Sequence, residues 1–134
     1  MPILRLSDKK ENGALSFDLI DILNVMPGTA HDLKWSIVDF DFVEGNLKQL
    51  KTTVTDIKIQ ARASREGYVL SWLKLVEIAK RLFQSVDALI VGYREIGQLP
   101  LKNRANFREL CQTCDVVIQA FDSIYWQLSV ADPE

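Results

Sequence analysis

The clearest pattern in the chain is the alternation of apolar and polar residues over positions 33–45, LKWSIVDFDFVEG. Successive side chains of a β-strand point to opposite faces, so this alternation predicts a strand. One face of that strand carries Trp35, Ile37, Asp39 and Asp41. The other face is apolar from Val38 onward, and we therefore expect Asp39 and Asp41 to point outward.

Two further segments have the spacing of amphipathic helices. Positions 15–28, LSFDLIDILNVMPG, place apolar residues three apart, with Ser16 as a candidate N-cap and a Pro-Gly pair as the end. Positions 71–84 begin at a second candidate N-cap, Ser71. The broad inner face expected for this second helix consists of Trp72, Leu73, Leu75, Val76, Ala79, Lys80 and Phe83.

The segment 46–67 supports two interpretations. A stripe of apolar residues steps by three and four positions along it, which is the spacing of a helix with Asn46 as N-cap and Gly67 as the end. Alternation from Thr53 to Ala61, with threonines that favour strands, is the competing pattern. We prefer the helix because its pattern holds for longer.

The C-terminal half predicts strands joined by short connections. ALIVGY at 88–93 is typical of a buried strand, and 96–110 of a loop that ends in a helical turn. Positions 115–132 form either two strands joined by a turn at Asp122-Ser123 or one long strand with a bulge. The order of elements predicts an α+β fold, with an antiparallel or mixed sheet of about four strands and two or three helices packed on one face.

Composition fits a single domain spanning residues 1–134. The chain is 48% hydrophobic and 25% charged, and its apolar stretches are too short to span a membrane. The N-terminus has no basic start followed by an apolar run, so we expect no secretory signal and a cytoplasmic location. We expect no membrane partner and no cofactor, and the oligomeric state stays open.

Charge is distributed unevenly along the chain. Between Glu11 and Glu44 seven acidic residues stand against one basic residue, and between Gly45 and Arg81 eight basic residues stand against three acidic ones. Either the two stretches form oppositely charged surfaces, or they pack side by side and neutralise each other. The net charge of −2 argues against nucleic-acid binding. A weaker, nucleic-acid-binding alternative rests on a basic stripe of Lys48, Lys51, Lys58, Arg62 and Arg65.

The spacing of Cys111 and Cys114 in CQTC is that of a redox pair or of half a zinc site. A thioredoxin-type pair follows a strand and begins a helix, whereas this pair precedes a strand. A structural zinc site takes four ligands, and the chain has no second cysteine pair and only one histidine, His31. We therefore interpret the two cysteines as the end of a short helix or as core at the entry to the strand.

The strongest candidate surface is acidic. Asp39, Asp41 and Glu44 lie on or just after the predicted strand, where alternating carboxylates share one face. A solvent-facing edge is the ordinary interpretation, and a metal site would need further ligands. An acidic strand also suits a protein partner with a basic surface, because complementary charge steers docking. We take these three residues as candidate partner-binding residues and identify no catalytic or metal-binding residue.

Three stretches resemble a pattern of a small family of uncharacterised bacterial α+β proteins. They are LKWSIVDFD, GYVLSWLKLVEIAKRLFQSVDALIVGY and DVVIQAFDSIYWQLSVAD, together about 55 of the 134 residues. The residues that match are Trp35, Ser71, Trp72, Gln84, Asp87, Phe121, Asp122, Ser123 and Trp126. In size and layout such proteins are similar to the immunity proteins of bacterial toxin systems. The resemblance implies an α+β fold without a catalytic motif, and the CQTC segment is not part of it.

Two classes of function agree with these observations. The first is a non-enzymatic protein-interaction module that covers a partner's active site, with an immunity-type inhibitor of a bacterial toxin as the form implied by the resemblance. Any tryptophan that the fold leaves exposed would then be an interface anchor. The second is a small-molecule-binding or enzymatic domain with a pocket between sheet and helices. We favour the first, because too few acids, bases and nucleophiles are present to assign a reaction.

Overall fold

The computed structural model of the chain describes residues 3–6, 18–26, 28–43, 53–64, 66–81, 84–99, 106–121 and 125–130. Within these ranges six strands form one sheet: β1 (Ile3–Leu6), β2 (Lys34–Val43), β3 (Tyr68–Leu70), β4 (Gln84–Tyr93), β5 (Val116–Phe121) and β6 (Tyr125–Val130). The strand order is β1-β6-β5-β4-β2-β3, and every neighbouring pair is antiparallel. The α+β fold with an antiparallel sheet is thus confirmed, with more strands than the four expected.

Four α-helices lie in the described ranges: α1 (Leu19–Asn24), α2 (Val54–Ala63), α3 (Trp72–Ala79) and α4 (Phe107–Thr113). Short 3₁₀ helices occupy Gly28–Asp32 and Ile96–Gln98. α1, α2 and α3 share one hydrophobic cluster with the sheet, as expected for helices on one face. α4 belongs to a second cluster on the opposite face, which the sequence did not indicate.

Strands β3 and β4 flank β2 on either side, and both run antiparallel to it. They are therefore parallel to each other, and α3 is the crossover that joins them. Gly67 precedes β3 with a φ of +73°, and a Cβ at this position would collide with the carbonyl oxygen of Ile37. Only glycine combines this backbone conformation with such a close approach, so Gly67 positions the edge strand against β2.

The face under α1, α2 and α3 holds the larger core. The strands contribute side chains that are 0% exposed, namely Trp35, Ile37, Ile90, Ile118 and Trp126. The helices cover them with Leu19, Ile22, Leu23, Ile57, Ala61, Leu75, Ile78 and Ala79. Burial of this apolar surface is the main stabilising term of the fold.

The face under α4 is smaller and mixes apolar with polar groups. Leu89, Val91 and Tyr93 of β4 and Val117 of β5 pack against the helix. The hydroxyl groups of Ser36 and Tyr93 lie 2.6 Å apart, and both residues are 0% exposed. One hydroxyl donates to the other, so neither is buried without a hydrogen-bond partner.

The first two helices begin at caps other than those expected. Asp18 is the N-cap of α1, and the expected cap Ser16 lies outside the described residues. The hydroxyl of Thr53 accepts a hydrogen bond from the N–H of Asp56 and starts α2. A threonine counted in favour of a strand is therefore the residue that begins the helix. The helical interpretation is confirmed for the span of α2, and Asn46 lies outside the described residues.

The third helix begins where expected and ends early. The hydroxyl of Ser71 accepts a hydrogen bond from the N–H of Lys74 at 3.2 Å, which confirms the N-cap. The helix stops at Ala79, and Gln84 is the first residue of β4 rather than the last residue of the helix. Apolar residues continue from helix into strand, so their spacing alone does not mark this boundary.

The closing hairpin is confirmed. β5 and β6 pair antiparallel from Val116 and Val130 to Phe121 and Tyr125, which excludes one long strand. The expected turn, Asp122-Ser123, lies outside the described residues. β1 was not expected from the sequence, and it pairs with β6 at one edge of the sheet.

Candidate functional site

The far end of β2 carries the acidic residues selected from the sequence. The Asp39 carboxylate accepts a hydrogen bond from the Arg62 guanidinium of α2 at 3.2 Å, with 41% and 44% of these side chains exposed. The backbone register places Asp41 opposite Asp87 of β4. The side chain of Asp41 and the whole of Glu44 lie outside the described residues.

The Asp39–Arg62 pair links the acidic and the basic stretches of the sequence. Of the two alternatives for these stretches, mutual neutralisation is therefore the one observed at this position. The register of β2 also shifts between Ile37 and Asp39, because a β-bulge places an extra residue, Val38, in the strand. Strict alternation along the strand consequently ends at Ile37, and the outward orientation expected for Asp39 does not follow from it.

The two cysteines lie at the end of α4. Cys111 is in its last turn and Cys114 is its C-cap, with the N–H of Cys114 donating to the carbonyl of Leu110 at 2.8 Å. Both are free and buried, as the interpretation from sequence required. Burial raises the pKa of Cys111 and raises the pKa of Cys114 to about 11. A catalytic cysteine needs a lowered pKa, so this pair is unsuited to thiolate catalysis at neutral pH.

The remaining polar groups under α4 are paired inside the protein. The thiol of Cys111 is hydrogen-bonded to Ser129, which is 1% exposed. Burial likewise raises the pKa of Tyr93, whose hydroxyl contacts Ser36. No group of three His, Cys, Asp or Glu side chains in the described ranges could hold a metal ion. In the described residues, the α4 face therefore provides buried hydroxyls and thiols.

Gln98 fastens the end of α4 to the loop after β4. Its side-chain oxygen accepts hydrogen bonds from the backbone N–H groups of Arg94 and Glu95, both at 2.9 Å. Its side-chain nitrogen donates to the carbonyl of Thr113 at 2.9 Å and to the carboxylate of Asp115 at 3.1 Å. One amide thus bridges two loops, an arrangement for which the sequence gives no signal.

An aromatic stack leads from the core to the surface at the other end of β2. The indole N–H of the buried Trp35 donates to the carbonyl of Ala30 at 3.0 Å, which ties the 3₁₀ helix Gly28–Asp32 to the sheet. The Trp72 ring lies 5.4 Å from that of Trp35, and the exposed His31 ring stacks on Trp72 at 4.8 Å with an interplanar angle of 25°. The exposed imidazole of His31 is therefore held against a neighbouring ring.

Leu73, the residue after Trp72 in α3, is an exposed apolar residue beside this stack in the chain. The residue is 77% exposed, so the inner-face position predicted for it from the sequence is wrong. A signal was present, because Leu73 lies four residues before Glu77 and seven before Lys80, on the charged stripe of the helix. We name His31, Trp72 and Leu73 the Trp72 surface.

Carboxylates lie on the elements beside the Trp72 surface. Asp21 of α1 and Asp32 of the 3₁₀ helix are exposed, and both elements contact α3. Neither carboxylate forms a salt bridge with any residue that the structure describes. The Lys74 ammonium lies over the Tyr68 ring at 5.5 Å, and Lys34 is exposed at the start of β2. Two exposed carboxylates and two exposed lysines thus lie on the elements around the Trp72 surface, and one of these lysines is held over an aromatic ring.

The two candidate surfaces are separate. Trp35 is near the start of β2 and Asp41 near its end, and six residues of strand span about 20 Å at roughly 3.3 Å per residue. The sheet therefore does not bring the acidic residues selected from the sequence next to the Trp72 surface.

Comparison with known proteins identifies no relative: no family model, no curated protein and no solved structure matches the chain. Among the described residues, no helix is both long enough and apolar enough to cross a membrane.

Proposed function

We propose that the chain is a non-enzymatic protein-interaction module that binds a protein partner with a basic surface, acting as an immunity-type inhibitor by covering the active site of a bacterial toxin. The observation that carries the proposal is the Trp72 surface. It combines a half-buried tryptophan, a histidine stacked on its ring and an exposed leucine next to it in the chain. Interface hot spots have this character, since aromatic anchors held in fixed positions lose little entropy on binding.

Charge supports a basic partner. Asp21 and Asp32 lie on elements that contact α3, so a positively charged partner would be attracted to the same side of the molecule. Complementary charge at the rim of an interface mainly accelerates association and makes it sensitive to salt. The Trp72 surface would thus supply most of the affinity, and the carboxylates would orient the partner as it docks.

The acidic end of β2 is the second part of the proposal. Asp39, Asp41 and Glu44 would extend the negative potential toward the same partner, as expected from the sequence. Because Arg62 already neutralises Asp39, we assign these residues a smaller share of the binding free energy than the Trp72 surface. Asp41→Lys tests this contribution without leaving Arg62 unpaired.

The experiment is affinity capture of the tagged chain from its native host, at low and at high salt, with partners identified by mass spectrometry. We expect one stoichiometric partner that is released by high salt. Leu73→Glu should weaken capture strongly, because it replaces an apolar contact with a carboxylate that must lose its water on binding. Ile59→Glu is the matched control, since Ile59 is also an exposed apolar residue on a helix, with 62% of its surface accessible.

Each outcome bears on a different part of the proposal. Equal capture by Leu73→Glu and the unmodified chain would contradict the Trp72 surface as the binding site. Capture that is indifferent to salt would contradict the electrostatic contribution. No partner at either salt concentration would count against an interaction module altogether.

A further inference from the structure

The two thiols at the end of α4 have no part in the proposed interaction. Cys111 and Cys114 are three residues apart, and the hydrogen bond from the Cys114 N–H to Leu110 shows that the helical path continues to the second cysteine. Residues three apart on a helix have Cβ atoms about 5–6 Å from each other. The two side chains are therefore neighbours on one side of a short helix.

This separation is close to what a disulfide requires. Disulfide-bonded cysteines have Cβ atoms roughly 3.5–4.5 Å apart, so the end of the helix must tighten by about 1–2 Å to bring the sulfurs together. Cys114, as the C-cap, already has an extended backbone, with φ −93° and ψ 152°. A rotation at this terminal residue changes the last turn of α4 and the contacts that Gln98 makes with Thr113 and Asp115 beside it.

We propose that Cys111 and Cys114 are a modification site at which a low-molecular-weight disulfide, such as glutathione disulfide, forms an intramolecular disulfide bond. The Cys111 thiolate attacks one sulfur of the small disulfide and releases the first small thiol. Cys114 then attacks the Cys111 sulfur of the mixed disulfide and releases the second small thiol. The two thiol protons of the protein end on the two released thiols, and the small disulfide is the species that is reduced.

Cys111 is the attacking residue because it is the more accessible of the two. It is 9% exposed, whereas Cys114 is 3% exposed. Burial keeps both groups as thiols in the closed structure, since it raises the pKa of each. The reaction therefore proceeds from a state in which the end of α4 has opened, and the stability of this helix sets the rate.

The capping residues of the chain allow a test of whether opening of α4 limits the reaction. Asn106 caps α4, and its side chain accepts a hydrogen bond from the N–H of Glu109 at 2.9 Å. Ser71 makes the same kind of cap on α3, on the opposite face of the sheet. Loss of either cap destabilises its own helix by a similar amount, but only the first loosens the helix that carries the cysteines.

The experiment follows oxidation of the full folded chain by glutathione disulfide, with alkylation of remaining thiols and measurement of the intact mass. We expect a monomeric product that lacks two hydrogen atoms and takes up no alkylating agent. Asn106→Ala should form it about fivefold faster, as expected for the loss of one cap. Ser71→Ala should leave the rate unchanged, and Cys114→Ser should stop at the mixed disulfide.

Two results would overturn the proposal. In the first, the urea-unfolded chain closes the disulfide while the folded chain and Asn106→Ala accumulate only mixed or intermolecular disulfides. In the second, Asn106→Ala and Ser71→Ala accelerate oxidation equally, which would mean that the thiols react only after global unfolding. Folding of each variant is checked by circular dichroism, so that a failure to fold is not mistaken for either result.

Discussion

The face of the sheet under α1, α2 and α3 and the face under α4 differ in what they bury. The first contains apolar side chains, with the Trp35 indole N–H as a polar group bonded to a backbone carbonyl. The second contains both buried serines of the described residues, together with Tyr93 and two cysteines. The first face therefore depends on the volume that it fills, whereas the second also depends on whether each polar group keeps its partner.

The largest expected effect on the free energy of unfolding comes from a cavity in the face under α1, α2 and α3. Trp35→Ala removes a side chain that is 0% exposed and leaves the carbonyl of Ala30 without the indole donor. Loss of a buried tryptophan costs about 3–5 kcal/mol, because the cavity refills only in part. We expect the urea midpoint to fall accordingly, and the fluorescence of Trp72 to shift as its neighbouring ring disappears. A loss below about 1 kcal/mol would show that this face is not the main core.

The second prediction concerns the hydroxyl pair under α4. Tyr93→Phe preserves most of the packing but leaves the Ser36 hydroxyl buried without its partner, which should cost about 1–3 kcal/mol in the free energy of unfolding. The double variant Tyr93→Phe with Ser36→Ala should recover much of that loss, since no polar group is then left unsatisfied. Urea denaturation of both variants measures their free energies of unfolding. Additive losses in the double variant would contradict the dependence on pairing.

Elements that depend on nearby residues could be predicted from the sequence. Elements that depend on pairing with a distant strand could not. The strand β2 and the cap at Ser71 are indicated by neighbouring residues, and both are confirmed. β3 has three residues, too few to show alternation, and exists because β2 lies beside it. Similarly, the bulge at Val38 depends on pairing with β4 and is invisible in the single strand.

The candidate functional residues also have some properties that the sequence predicts and others that depend on the fold. The acidic composition of β2 was readable, but the cation that neutralises Asp39 comes from Arg62, 23 positions later in the chain. The aromatic character of Trp72 was readable, whereas its stacking on His31 requires the 3₁₀ helix to be placed against α3. Charge and aromaticity can thus be read from sequence, while pairing and exposure cannot.

The third prediction concerns the pH dependence of stability that the buried Cys114 gives to the face under α4. Burial holds the pKa of Cys114 at about 11, above its ordinary value of 9.0, so the folded state retains a proton that the unfolded state loses. The free energy of unfolding should therefore fall as pH rises from about 9 to about 11. Cys114→Ala should show a shallower fall over this range in urea titrations at each pH. Equal slopes would mean that Cys114 ionises as readily in the folded state as in the unfolded state.

The smallest expected effect lies outside both faces, at the Asp39–Arg62 pair. Both side chains are more than two-fifths exposed, and exposed ion pairs contribute about 0–1 kcal/mol. A double-mutant cycle with Asp39→Asn and Arg62→Gln should give a coupling free energy within that range, and it should decrease with added salt because the charges are screened. A larger, salt-independent coupling would mean that the pair fixes α2 against β2. The acidic end of the strand would then be part of the fold's support, and a partner would find less free charge there than at the Trp72 surface.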